Sequence, residues 1–239
     1  MKNEVLKEQI RNLYRDFFAD MKIDPQTGIV DGTNRRFTGY PYIGANYVTA
    51  PVKILFIPYD VGEDECRRDN TYHTFEDRES IFPSGMLDFN AHIAGVYATA
   101  LFILKGEKEY QSAWDVLWSN REYKTAKAIR MSYEYLPKDL MSYVAYENRF
   151  RFVTIGREKR SGGEDRIWIN PEREGKLLVD EINIFAPDVI VFQGKEGLEN
   201  CHIDELKAKY KVVVSYHPSC HYYGADKLQY IVEHIGPQL

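Results

Sequence analysis

The chain carries only three cysteines in 239 residues, Cys66, Cys201 and Cys220, widely spaced and without a Cys-x-x-Cys pair. That excludes a disulfide framework and a four-cysteine iron–sulfur site, and it suits reduced thiols. Long apolar runs are missing as well. No stretch approaches the length of a membrane span, and the charged, amphipathic N-terminus lacks the apolar core and cleavage site of a secretory signal. A cytoplasmic protein with no membrane partner is therefore expected. Positive charge is in deficit, 31 Lys and Arg against 36 Asp and Glu, a net −5. Contact with a polyanion must then come from a local groove rather than from bulk attraction. Glycine is sparse where a cofactor would need it. The "GKEG" at 194–197 has two glycines and not the three-glycine turn of a dinucleotide site, and no Gly-x-Ser-x-Gly elbow occurs. There is no internal repeat and no low-complexity segment.

What is present reads as one globular domain, 1–239, with 44% hydrophobic residues to build its core. Val5, Leu6, Ile10, Leu13, Tyr14, Phe17 and Phe18 recur at helical spacing and predict a helix over about 3–21. Residues 24–51 are dense in glycine and proline with interleaved aromatics, which marks irregular chain packed on the body rather than a linker. Apolar, β-branched runs at 53–58, 188–194 and 211–217 predict strands covered on both faces, and 142–152 is a fourth, more alternating candidate. Helix-like stretches at 84–104, 112–131, 172–186 and 225–236 lie between and after them. This alternation predicts an α/β fold, a three-layer α/β/α arrangement with a central, mainly parallel four-stranded sheet.

Open parallel sheets bind ligands outside the carboxyl ends of their strands. Here those ends lead into "PYDVGEDE", "YENR", "GKEG" and "HPSCHYYG". Asp60, followed closely by Gly62, is either the head of an Asx-turn or a carboxylate held by loop amides for acid–base work. Asn148 has the donors and the acceptor needed to read the edge of an amide-bearing ring, or else it satisfies backbone at a strand end. His217 ends an apolar strand directly before Pro218, where a fixed imidazole can donate to an oxygen that gains negative charge. His217, Cys220 and His221 do not have the spacing of a zinc signature and no second ligand cluster accompanies them, so neither a metal nor another cofactor is expected. Ser219 suits a helix cap or a phosphate better than a nucleophile's role. Tyr222 and Tyr223 fit a turn that packs on the core as well as one that meets a ligand.

Four segments in this order resemble the uracil-DNA glycosylase superfamily. "KILFIPYDVGEDE" looks like its first motif, "YENRF" like its asparagine segment, "APDVIVFQGKEG" like its third-strand signature and "VVSYHPS" like its His-Pro-Ser motif. The resemblance covers roughly 40–235 and leaves an N-terminal helical extension at about 1–22. It implies a monomeric DNA-repair enzyme that flips a deaminated or modified base, such as uracil, out of single- or double-stranded DNA and hydrolyses its N-glycosidic bond. In that scheme Asp60 orients the water and stabilises the cationic sugar, His217 hydrogen-bonds the departing base and Asn148 reads its edge. Phe75, or Tyr59, stacks on the base, Ser219 takes a phosphate, and Tyr222 and Tyr223 wedge into the vacated stack. Pro58 and Val61 stand where the family usually has glycine and proline. With the acidic net charge, this keeps open a second implication, a non-catalytic nucleobase- or nucleic-acid-binding module on the same fold.

Overall fold

A computed structural model describes residues 3–59, 72, 74–85, 91–109, 139–155, 168–195, 197–217 and 230–239, with 81–85 and 91–94 described by their backbone alone. The elements in chain order are α1 (Glu4–Phe18), β1 (Arg35–Phe37), β2 (Tyr42–Ile43), β3 (Ile54–Ile57), α2 (Phe75–Gly85), α3 (Ala91–Lys105), β4 (Val144–Tyr146) and β5 (Phe152–Thr154). They continue with α4 (Pro171–Phe185), β6 (Val189–Gln193), α5 (Ile203–Lys209), β7 (Lys211–Ser215) and a turn of π-helix, Ile231–Ile235.

The α/β class expected from the strand and helix alternation is what the chain adopts. Its main sheet is mixed and has five strands rather than four, in the order β2-β4-β3-β6-β7. Strands β4, β3, β6 and β7 pair in parallel, and β2 closes the edge antiparallel to β4, with Tyr42 opposite Tyr146. The extra strand lies in the segment read as irregular. So does β1, which pairs with β5 in a separate two-stranded sheet. Two- and three-residue strands are too short to display a period-two pattern, which is why turn residues dominated the reading there.

A second correction concerns 142–152, expected as one strand. Leu140–Tyr143 is a 3₁₀ turn, β4 spans three residues, and the chain breaks at 147–151 before β5 leaves for the other sheet. Helix α5 was not expected, since seven residues show less than two turns of periodicity. The helix expected at 112–131 lies outside the described residues, as does 225–229 of the last one.

Period-two alternation splits the sheet's side chains between two cores. Leu55, Ile57, Ala145, Ile190 and Phe192 join Leu6, Ile10, Tyr14 and Phe17 of α1 and Leu177, Leu178, Ile182 and Phe185 of α4. On the opposite face Ile54, Phe56, Val144, Tyr146, Val189, Val191 and Val213 meet Val96, Tyr97, Ala100 and Leu101 of α3, with Ile231 and Ile235. Each of the larger aliphatic and phenylalanine side chains among them contributes about 1.5–3 kcal/mol by leaving water. The helix expected at 3–21 is α1, and its buried stripe packs directly on α4. Helix α4 is well delimited. Asn170 accepts from the Arg173 N–H at its start, Pro171 opens it, and Ala186 in the left-handed region ends it before Pro187. No described helix is long and apolar enough to cross a membrane.

Candidate functional site

The parallel ladder between β3 and β4 runs one step beyond the strands. Glu147 N–H donates to the Phe56 carbonyl at 2.9 Å and Arg149 N–H to the Pro58 carbonyl at 2.9 Å, which sets Asn148 opposite Pro58. Since Ile57 lies opposite Phe192 and Gln193 opposite Ser215, the last row of the sheet reads Asn148, Pro58, Gln193, Ser215. This row is the carboxyl-end rim that the sequence singled out.

Asn148 is 2% exposed, and its Oδ1 has no hydrogen-bond partner among the described residues. A buried unsatisfied acceptor costs about 1–3 kcal/mol. What holds it there is a charged cluster beneath. Arg151, fully buried, pairs with Glu147 and Glu181 and donates to the Asn148 carbonyl at 2.6 Å. The Tyr14 hydroxyl donates to Glu181 Oε1 at 2.6 Å. Burial pushes the Glu181 carboxyl and the Tyr14 hydroxyl up from their ordinary values, with Arg151 pulling both the other way. Two acids share one guanidinium, so a proton retained on one of them leaves the cluster neutral in a dry interior. Nearby in the chain, Glu174 accepts from the Asn170 N–H at 2.7 Å, and burial raises its carboxyl to about 7.

The other side of the rim is aromatic. His217, half-buried two residues past β7, stacks on Tyr59, two residues past β3, with ring centroids 5.7 Å apart and planes 17° from parallel. Arg149 lies over the same Tyr59 ring at 4.9 Å and over Phe192 at 5.4 Å, and it donates to the Gly194 carbonyl at 2.9 Å. The Tyr59 carbonyl accepts from Phe150 N–H at 2.7 Å. Gly194 is required here. Its φ is +126°, and a Cβ would lie 2.2 Å from Tyr59 Cζ, so a side chain is excluded by backbone and by the tyrosine together. Lys195 extends the rim with its Nζ 4.1 Å from the centre of the Tyr216 ring.

Of the residues expected from sequence, then, Asn148, His217 and Tyr59 come to one rim. Phe75 sits elsewhere, 2% exposed at the start of α2, stacked on Tyr40 at 4.7 Å and approached by Arg11 at 5.1 Å and Lys7 at 5.6 Å. No ring contact joins it to Tyr59 or His217 among the described residues. Asp60, Ser219, Tyr222 and Tyr223 lie outside the described residues. No family model matches the chain, and no curated protein matches it.

The sequence reading missed Arg149, Arg151 and Gln193. The two arginines stand at alternate positions in an otherwise aromatic stretch, and Gln193 is the first polar residue after an unbroken apolar strand. Both were available as signals. Among the described residues no group of three or more His, Cys, Asp or Glu is placed to hold a metal ion. An open depression of about 590 Å³ is lined by the turn residues Lys22 to Gly32 and includes none of the rim residues. The rim itself offers an amide acceptor and a half-buried imidazole braced by a buried tyrosine ring that a guanidinium also covers, polar groups suited to a planar, polar heterocycle.

Proposed function

We propose that this chain is a DNA glycosylase of the uracil-DNA glycosylase type, with the three-layer α/β/α arrangement of that superfamily, acting as a cytoplasmic monomer on DNA. The observation that carries the reading is the presence, at the carboxyl ends of parallel strands of one sheet, of both a buried Asn148 acceptor with no partner among the described residues and the His217–Tyr59 stack. The chemistry follows from the leaving group. As the N-glycosidic bond breaks, positive charge grows on the sugar and negative charge on the base, and an imidazole donating to a base oxygen stabilises the second. His217 takes that role and Asn148 the role of reading the base edge. Tyr59 is the aromatic candidate at the rim. Asp60, adjacent to Tyr59 in sequence, would orient the water, with Ser219, Tyr222 and Tyr223 on the DNA side.

The test is incubation with uracil- and hypoxanthine-containing single strands and duplexes, followed by alkali. Abasic sites from the wild type that vanish in His217→Ala support the reading, and silence on every substrate refutes it. Pro58 and Val61 in the first motif favour one second reading, a base-binding module without turnover. It predicts oligonucleotide binding that Asp60→Asn leaves unchanged.

A further inference from the structure

We infer that Gln193 is a second base-reading carboxamide, working with Asn148 on the same ring. The inference rests on the base-binding reading above and extends it to a residue of the third-strand segment to which that reading gives no role.

Gln193 ends β6, is 0% exposed, and neither its Oε1 nor its Nε2 has a hydrogen-bond partner among the described residues. Its neighbours in the last row of the sheet explain why. Pro58 has no polar side chain and no N–H to give, and the Ser215 hydroxyl is turned back to the carbonyls of Phe192 at 3.3 Å and Tyr216 at 3.0 Å. By alternation Gln193 shares a face with Val191, Phe56 and Val213, an environment in which an apolar side chain would cost nothing. A carboxamide buried there has lost its water and gained no protein partner.

Asn148 stands in the same row two strands away, a Cα separation of about 10 Å at the usual strand spacing. Two amides in one row at that separation could reach the edge of one six-membered ring between them. Gln193 brings an acceptor beside two donors, so its complement is a ring that carries an N–H next to a carbonyl, the imide or lactam edge of uracil or hypoxanthine. A ring alkylated at that nitrogen loses the match.

The test measures binding and turnover separately. 1-Methyluracil, a uracil ring blocked at N1 as it is in DNA, and 1,3-dimethyluracil are titrated into wild type, Gln193→Met and Gln193→Leu by saturation-transfer NMR and calorimetry, melting temperatures are recorded, and excision from uracil-containing strands is assayed in parallel. The expected result is binding of the N1-blocked uracil by the wild type, little or no binding of 1,3-dimethyluracil, and affinity for the N1-blocked uracil lower by about tenfold or more in both variants, the scale of a lost hydrogen-bond pair. Melting temperatures stay level or rise. Undiminished uracil binding in the variants overturns the inference, with or without a lower melting temperature, and so does a wild type that binds no base. Excision that persists unchanged alongside undiminished binding leaves the glycosylase reading standing and removes Gln193 from it. Loss of uracil binding in the variants of a protein that never excises keeps Gln193 and removes catalysis.

Discussion

His217 lies against the ring of Tyr59, centroids 5.7 Å apart and planes at 17°. The two residues follow different strands, so their stack ties the end of β7 to the end of β3 and fixes the imidazole's plane. On the proposed glycosylase reading, removing the imidazole in His217→Ala is expected to lower excision by about a hundredfold to a thousandfold, the range seen when one donor to a developing oxyanion is lost. Tyr59→Leu keeps bulk but removes the stacking surface. It should lower excision by up to about tenfold, since an aromatic pair contributes about 0.5–1.5 kcal/mol. Single-turnover rates on a uracil-containing strand measure both.

Gly194→Ala tests the close approach of backbone and ring. With φ at +126° and Tyr59 Cζ 2.2 Å from the Cβ position, the variant must shift either Tyr59 or the β6 terminus. A loss of about 3 kcal/mol is expected from strain and overpacking together. Urea denaturation reads the loss, and a drop in excision greater than that of a comparably destabilised variant remote from the rim would show that Tyr59 is what moved.

Arg151→Met removes the one cation shared by Glu147 and Glu181. Two buried carboxyls are left without it, and a loss of about 3–5 kcal/mol is expected. The double variant with Glu181→Gln should recover part of that loss, because an amide there cannot ionise beside Glu147 once the cation is gone. Recovery in a double-mutant cycle separates this electrostatic account from simple loss of packing.

Glu174 makes a pH prediction. Its folded value is about 7 against the ordinary value of 4.5, with burial as the leading cause, so between these values the folded protein holds a proton that the unfolded chain releases. This contribution to stability is fully present below pH 4.5 and is lost as pH rises through about 7. Glu174→Gln should flatten the fall in stability across that window. Denaturant midpoints at several pH values for both proteins decide it, and parallel curves would remove Glu174 as the source.

Much of the rim was legible because its residues sit where local patterns end. Pro218 after an apolar strand points to His217, and Asn148 stands out by its carboxamide within 142–152, a stretch read as one strand whose break after Tyr146 came only with the structure. Phe75 illustrates the reverse. Its position in the chain suggested a stacking role, whereas its environment of Tyr40, Arg11 and Lys7 comes from α1 and the segment before β3, which no window around Phe75 contains.

The sequence by itself determined the α/β class, the positions of three of the four parallel strands and the buried stripe of α1, because apolar runs and helical spacing are properties of short contiguous segments. Only the tertiary structure decided the strand order, the antiparallel β2 edge, the union of Arg151 with Glu181 thirty residues away and the contact of Gly194 with Tyr59. Those features depend on which distant segments pack together, and short strands and single polar side chains carry too little local pattern to reveal their partners.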